Sequence, residues 1–267
     1  MIQITEITSR DNERLKDARR VRDGRDDERI FVEGVRLVEE ALGSGLHVRS
    51  FFATQGHLAR GRDMITLTGA SEIYQLSDSA FRTISDTVNS QGIAIVADRP
   101  AWSLTDITKR LSSGSVPHVV FLHEINNPSN LGAVVRTAEA AGVAGVIVSA
   151  NSADAFGPKA LRSAMGSAFR LPIVVGSGFE DGLEFARTNR LLTVGADVNA
   201  DRSHWEVDWQ VPRMLVVGSE AHGLAEDQRS RLDALIRVPM EREVESLNLA
   251  VACGIILFEG RRQRMPA

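Results

Sequence analysis

Hydrophobic and polar residues alternate through the first hundred positions in a way that predicts a small α/β unit. Residues 10–29 are dense in both charges and predict a solvated helix with a turn near Gly24. Apolar residues then recur at helical spacing, which predicts a helix over residues 31–45 that ends at its glycines. A further helix is predicted over residues 72–84. Short β-like runs occupy residues 48–53, 64–67 and 93–96.

The second half of the chain alternates regularly between strand-like and helical patterns. The strand-like apolar runs are residues 118–125, 145–149, 171–175, 191–195, 214–217 and 235–238. A last helical pattern covers residues 247–262. Apolar strands that alternate with helices predict an α/β fold in which a parallel sheet carries helices on both faces. Ligands bind such sheets beyond the carboxyl ends of the strands, so site residues are expected there.

A change of composition divides the chain. Residues 98–117 contain two prolines and a Ser-Ser-Gly-Ser patch, which is typical of a linker. We therefore expect a first domain over residues 1–98, a linker over residues 99–117 and a second domain over residues 118–267.

Composition then narrows the class of protein. Apolar residues make up 43% and charged residues 25%, as in ordinary globular proteins, and no apolar run approaches the ~18 residues of a membrane span. The N-terminus lacks the apolar core of a secretion signal, and the single cysteine, Cys253, has no internal disulfide partner, so a cytoplasmic location is expected. The histidines show no metal-ligand spacing, and no metal is expected. The net charge of −4 argues weakly against a nucleic-acid partner, although most basic residues are Arg, which binds phosphate well.

Residues 126–142, NNPSNLGAVVRTAEAAG, form the first polar cluster after a predicted strand. Either Ser129 or Asn130 is placed to cap the helix that follows. Asn130 and Arg136 are both candidates for the strand-end site. The alternative is an ordinary strand–loop–helix connection with a solvated Arg.

Residues 215–224, LVVGSEAHGL, form the second cluster. Gly218 and Gly223 allow a ligand to approach the backbone closely, and Glu220 is placed to orient a polar ligand. The alternative is a plain glycine-containing turn in which Glu220 caps a helix.

Residues 236–259, IRVPMEREVESLNLAVACGIILFE, form the third cluster. Ser246 is expected to cap the helix that follows, which places Asn248 in its first turn. The amide of Asn248 suits the mixed polar edge of a ligand. The alternative is a cap followed by a tolerated Asn. The helix itself is apolar on nearly all sides and is expected to be buried all round, by its own sheet or by a second subunit.

Several common nucleotide and hydrolase motifs are missing. No GxGxxG follows a strand, no GxxxxGK[ST] occurs, and no GxSxG elbow with a following strand is found.

The three clusters together resemble, in type, order and spacing, the signature motifs of the SpoU family of RNA ribose methyltransferases, part of the SPOUT superfamily. The resemblance covers residues 118–262. Residues 31–98 resemble the small substrate-binding domain often found ahead of the catalytic domain, which is similar to RNA-binding ribosomal proteins. The resemblance implies S-adenosylmethionine-dependent methylation of a ribose 2′-hydroxyl, with ribosomal RNA as the first choice of substrate. Transfer RNA and a non-catalytic RNA-binding assembly factor remain the alternatives.

The same resemblance implies a C-terminal trefoil knot, a homodimer and a set of site residues. Its catalytic positions are matched here by Asn130, Arg136, Glu220, Ser246 and Asn248. The donor pocket is assigned to Gly195, Ala196, Gly218, Val238, Pro239, Met240 and Leu247. Arg136 and Arg162 are the candidate RNA contacts, although a solvated surface is the alternative for Arg162.

Overall fold

A computed structural model describes residues 4–58, 70, 72–113, 118–241 and 244–265. Within these residues the strands are β1 (Ile4–Ile7), β2 (Arg29–Glu33), β3 (Val48–Thr54), β4 (Glu72–Leu76), β5 (Ile93–Asp98), β6 (His118–Leu122), β7 (Gly145–Ser149), β8 (Ile173–Ser177), β9 (Leu192–Ala196), β10 (Arg213–Val217) and β11 (Ala234–Ile236). The helices are α1 (Glu13–Arg22), α2 (Val35–Gly43), α3 (Gln55–Leu58), α4 (Asp78–Ile84), α5 (Leu104–Ser112), α6 (Pro128–Ala141), α7 (Pro158–Ala164), α8 (Ser167–Arg170), α9 (Phe179–Thr188), α10 (Glu226–Arg229) and α11 (Leu249–Arg264).

The chain folds as two compact units, and each is built from two stretches of sequence. The first unit consists of Met1–Pro100 and Phe156–Arg170, and the second consists of Ala101–Ala155 and Leu171–Ala267. Helices α7 and α8 therefore group with the N-terminal residues, although they lie inside the C-terminal half of the sequence.

A five-stranded mixed sheet in the order β1-β4-β3-β5-β2 forms the first unit. Strands β1, β4 and β3 run parallel, while β5 is antiparallel to both β3 and β2. The core is aromatic: Phe31, Phe52 and Phe81 are each at most 2% exposed. Phe52 stacks on Tyr74 with ring centroids 5.2 Å apart.

Two predicted helices of this unit are partly wrong. Residues 29–33 form β2, and the helix begins only after Gly34, whose φ of 103° breaks the pattern. Residues 72–76 form β4, and α4 begins after Ser77, whose hydroxyl accepts a hydrogen bond from the backbone N–H of Ala80 at 3.2 Å. In both cases the buried apolar residues at the start of the predicted helix belong to a strand. The predicted strand at residues 64–67 lies outside the described residues.

A six-stranded sheet in the order β11-β9-β10-β6-β7-β8 forms the second unit, and every pairing is parallel. Each of the six strands overlaps one of the six predicted runs, which confirms the α/β fold class. Helix α5 lies within residues 99–117, and its Ser103 and Asp106 form a capping box. Ile107 of α5 is fully buried in the core of this unit. No described helix is long and apolar enough to cross a membrane.

Candidate active site

Three loops at the carboxyl edge of the second sheet surround a cavity of about 550 Å³. They follow β9, β10 and β11, which lie side by side at one end of the sheet. The cavity is lined by Ala196 and Asp197 from the first loop, by Gly218 and Glu220 from the second, and by Val238 and Leu247 from the third. Since parallel strands end at the same edge, positions far apart in the sequence meet here.

The loop after β10 is folded back so tightly that Gly218 has no room for a side chain. A Cβ at this position would lie 2.3 Å from the carbonyl carbon of Gly223 and 2.5 Å from the backbone N of Leu224. Gly223 itself has a φ of 65°, a left-handed conformation that favours glycine. Both glycines are therefore required by the shape of the cavity wall.

A continuous chain of hydrogen bonds joins the three polar clusters at the cavity. The amide Nδ2 of Asn130 donates to Glu220 Oε1 at 3.3 Å, and Asn130 Oδ1 accepts from Nδ2 of Asn248 at 3.0 Å. The carboxylate of Glu220 also accepts from the backbone N–H groups of Asn126 and Asn127, at 3.2 and 3.3 Å. Because a carboxylate only accepts, the direction of every bond along the chain is fixed.

Helices α6 and α11 begin beside these hydrogen bonds, and both are capped by residues other than the predicted ones. Asn127, and neither Ser129 nor Asn130, caps α6 by accepting from the backbone N–H of Ser129 at 2.9 Å. Asn248, and not Ser246, caps α11, since its Oδ1 accepts from the N–H groups of Ala250 and Val251 at 3.0 and 3.4 Å. The helix starts later because Asn is as good a cap as Ser and the loop ends at Asn248.

The other predicted catalytic and RNA-binding residues are spread more widely. Ser246 lines the cavity. Arg136 lies on an exposed face of α6, away from the cavity lining. Arg162 belongs to α7 in the first unit, where it pairs with Asp86 at 2.7 Å.

Most of the residues assigned to the donor pocket do line the cavity. These are Ala196, Gly218, Val238, Met240 and Leu247. Gly195 is buried just below, where a Cβ would lie 2.6 Å from the side chain of Leu232. Pro239 is exposed outside the lining. The buried thiol of Cys253 also lines the cavity, and burial raises its pKa to about 12, so it stays neutral.

Sequence reasoning missed four residues that hold the loops together. Asp197 and Arg229 form an ion pair at 2.8 Å on the cavity wall. His123 and Gln228 are joined by a hydrogen bond of 2.9 Å beside them. Asp197 gave a local signal, since it lies two residues after the predicted strand run 191–195, whereas His123 lies inside the predicted run 118–125.

Helix α11 is buried on one face only, so its own chain does not bury it all round, and burial of the other face by a second subunit stays a prediction. Cys253, Ile256 and Leu257 are each 1% exposed, and Gly260 packs on Trp209. On the opposite face Val251 and Phe258 are 51% and 47% exposed, with Ile255 between them at 36%.

Comparison with known proteins matches this arrangement to a family. Residues 117–258 match the SpoU rRNA Methylase family, and residues 12–95 match an MRM3-like substrate binding domain. The chain belongs to the SpoU family. The residues of the three clusters that meet at the cavity all lie within the matched SpoU range, so the resemblance drawn from the sequence is confirmed.

Full-length relatives agree with this assignment. The chain is 30% identical to an uncharacterized tRNA/rRNA methyltransferase of Synechocystis sp., over 99% of this chain and 96% of that protein. It is 29% identical to RlmP of Bacillus subtilis, a 23S rRNA (guanosine(2553)-2′-O)-methyltransferase, over 96% of this chain and 99% of RlmP.

Solved structures share the fold of the whole chain. The AdoMet-bound rRNA methyltransferase of Sinorhizobium meliloti superposes with a TM-score of 0.82 at 27% identity, covering 98% of this SpoU chain and 99% of that one. The SpoU methyltransferase AviRb of Streptomyces viridochromogenes, in complex with AdoMet, gives 0.83 at 27% identity, covering 95% and 99%.

Proposed function

We propose that this protein transfers a methyl group from S-adenosylmethionine to a ribose 2′-hydroxyl of ribosomal RNA. The observation that carries the proposal is the convergence of Asn130, Glu220 and Asn248 in one hydrogen-bonded chain on the cavity lining. The relatives support it, since RlmP is a 23S rRNA 2′-O-methyltransferase and two structural neighbours contain AdoMet.

The cavity fits this methyl donor in size and chemistry. Small-molecule cavities span roughly 300–1,000 Å³, and this one measures about 550 Å³. Its wall combines backbone groups at three strand ends with the apolar side chains of Val238, Met240 and Leu247. The missing side chain at Gly218 lets the loop fold back onto Gly223, which shapes this wall of the cavity. When bound, the donor supplies an electrophilic methyl carbon on a sulfonium, so the protein has to align the attacking oxygen with it.

Glu220 and Arg136 have different roles in the transfer reaction. Glu220 already accepts three hydrogen bonds, so it orients Asn130 and the loop before α6 and is not a free base. The Arg136 guanidinium offers only hydrogen-bond donors, so it positions the RNA and stabilises developing negative charge. A phosphate of the RNA then accepts the hydroxyl proton.

Donor binding is tested directly with S-adenosylhomocysteine. A ligand that binds only the folded state at a hundred times its Kd stabilises it by about 2.7 kcal/mol, which raises the Tm. The control is adenosine, which lacks the amino-acid arm and is expected to give a smaller shift. No shift at millimolar S-adenosylhomocysteine would contradict the donor assignment.

The RNA substrate is tested by mapping 2′-O-methyl groups in cells with and without the gene. We expect one ribose methylation of ribosomal RNA to disappear and to return with the wild-type gene but not with Asn130→Ala. A site lost from transfer RNA would overturn the choice of substrate. An unchanged methylation map would favour a non-catalytic assembly factor.

We assign RNA binding without chemistry to residues 1–98, the linker to residues 99–117 and catalysis to residues 118–267. The match of residues 12–95 to a substrate binding domain supports this division. Since Phe156–Arg170 groups with the N-terminal unit, a truncated protein would expose helices α7 and α8, and the test requires the full chain. The RNA affinity is expected to fall with rising salt, because phosphate contacts release counterions. Affinity that is independent of salt would contradict RNA-backbone binding.

We further propose a homodimer whose interface includes the exposed face of α11, together with the family's trefoil knot in the segment that leads to it. An apolar stripe of Val251, Ile255 and Phe258 supports an isologous contact. In such a dimer Arg136, which lies outside the cavity lining of its own chain, serves the site of its partner. The single buried thiol, Cys253, fits a reducing compartment such as the cytoplasm.

Subunit mixing tests the shared site. Arg136→Ala and Asn248→Ala proteins, each inactive alone, are mixed under conditions that exchange subunits. A shared site gives each mixed pair one intact site, so activity returns. If every site is built from one chain, each keeps a lesion and the mixture stays inactive.

A further inference from the structure

Helix α10 is a four-residue helix, Glu226–Arg229, that follows the cavity loop of β10. In the sheet, β10 lies between β9 and β6, so α10 sits beyond the carboxyl end of the middle strand of three. Its last two residues, Gln228 and Arg229, contact the ends of the two flanking strands. The helix therefore spans three strand ends.

On the β9 side, Arg229 holds the first loop of the cavity. Its Nη1 donates to Asp197 Oδ2 at 2.8 Å, and Asp197 Oδ1 accepts from the backbone N–H of Asn199 at 2.8 Å. The side chains of Asp197 and Arg229 are only 10% and 29% exposed. The guanidinium of Arg229 is also held by Glu226. Because Asp197 and Asn199 both line the cavity, the ion pair fixes part of its wall.

On the β6 side, Gln228 holds the residue that follows the strand. Its Oε1 accepts from the backbone N–H of Ala225 at 2.9 Å, so its Nε2 is the atom that faces Nε2 of His123, also at 2.9 Å. The imidazole nitrogen must accept this bond and is therefore unprotonated. The backbone N–H of His123 donates to the carbonyl of Val217 at 2.8 Å, which closes the connection to β10. Four residues after His123, Asn127 caps the helix that carries Asn130.

We propose that Arg229 and Gln228 are positioning residues. Through them, α10 fixes the position of the donor cavity relative to the hydrogen bonds of Asn130. The proposal rests on donor binding in the cavity. The two positioning residues have separate effects. Arg229 contacts the cavity wall and sets donor affinity, whereas Gln228 contacts the strand that leads to Asn130 and sets the rate of transfer.

The test compares Arg229→Gln with Arg231→Gln in the full-length protein. Arg231 lies two residues further on, pairs with exposed Glu180 and lies outside the cavity lining, so it is a matched control. We expect Arg229→Gln to raise the Kd of S-adenosylhomocysteine, measured calorimetrically, by about tenfold, whereas Arg231→Gln leaves it unchanged. The kcat of Arg229→Gln at saturating donor is expected to stay near that of wild type.

Gln228→Leu is expected to give the opposite split, with a reduced kcat and a donor KM close to that of wild type. A purely structural role would lower the Tm of both variants without separating KM from kcat. If Arg229→Gln is poorly folded, the double variant D197N/R229Q removes both charges and leaves none unpaired. Its donor Kd is then expected to stay raised while its Tm recovers.

The outcomes separate this inference from the proposed function. Failure of the wild-type protein to bind S-adenosylhomocysteine overturns the proposed function. Wild-type binding with an unchanged Kd in both Arg229→Gln and the double variant overturns the role of Arg229. An unchanged kcat in Gln228→Leu overturns the role of Gln228.

Discussion

Asn248 has two roles in the structure that a pair of substitutions can separate. Its Oδ1 caps α11, and its Nδ2 donates to Asn130 at 3.0 Å. Asn248→Ser keeps an oxygen for the cap and removes the amide nitrogen. Asn248→Ala removes both groups.

The two roles differ in expected magnitude. Replacing an Asn cap by Ala costs about 1 kcal/mol, which lowers the Tm by about 2–4 °C for a domain of this size, while Ser retains most of the cap. The hydrogen bond to Asn130 contributes about 1 kcal/mol if it only aligns that amide, which is a factor of about five in rate. A group that contacts the reacting hydroxyl contributes more, on the order of a hundredfold. We therefore expect Asn248→Ser to fold like wild type and to lose at least fivefold in kcat.

The assay measures initial rates with radiolabelled donor beside thermal unfolding of the same samples. Ser77→Ala is the matched control, because it removes the cap of α4 in the N-terminal unit and is expected to lower the Tm without changing kcat. Wild-type kcat in Asn248→Ser would refute a role for Asn248 beyond capping. Equal Tm values for Asn248→Ala and Asn248→Ser would refute the capping role.

Three further changes probe the interface, the cavity wall and the buried histidines. Phe258→Asp is expected to give monomers by sedimentation with little loss of Tm, because the side chain is 47% exposed in the single chain; a wild-type monomer at micromolar concentration would contradict the dimer. Gly218→Ala is expected to raise the Kd of S-adenosylhomocysteine at least tenfold, because its Cβ would meet the backbone of Gly223 at 2.3 Å, and wild-type affinity would disprove the tight loop. Burial lowers the pKa of His123 and of His204 below the usual 6.5, so their folded forms stay neutral. The free energy of unfolding is therefore expected to fall as the pH drops below 6.5, by at most about 1.4 kcal/mol per pH unit for each group, and His123→Gln should flatten this dependence.

The sequence predicted the structure best in the parallel sheet, where burial determines both the apolar pattern and the strand. Strands of a parallel sheet are buried on both faces, so each of β6, β7 and β10 appears as a short apolar run between helical patterns. It was least informative in the N-terminal unit. There β2 is buried and leads through Gly34 directly into α2. The apolar residues of the strand and of the helix therefore look like one continuous helical pattern in the sequence.

The candidate site was also predictable only in part. The polar clusters were recognisable because Asn130, Glu220 and Asn248 each lie in a segment that follows an apolar strand run. The geometry of these residues could not be predicted, because the role of Asn248 as a cap depends on where the loop before α11 ends. The pairing of Asp197 with Arg229 gave no local signal, since the two residues lie 32 positions apart and the pattern around one does not indicate the other.

In the proposed dimer, activity and subunit contact would depend on the same two helices, α6 and α11. The series of hydrogen bonds that starts at Glu220 runs through Asn130 of α6 and ends at the amide nitrogen of Asn248, whose side-chain oxygen caps α11. The exposed face of α11 then presents Val251 one turn beyond that cap. A second subunit that covers this face would restrict the helix whose first residues hold the amide of Asn248 in place. Since Arg136 is exposed on α6, the same contact would also bring a guanidinium to a cavity whose own lining does not include it.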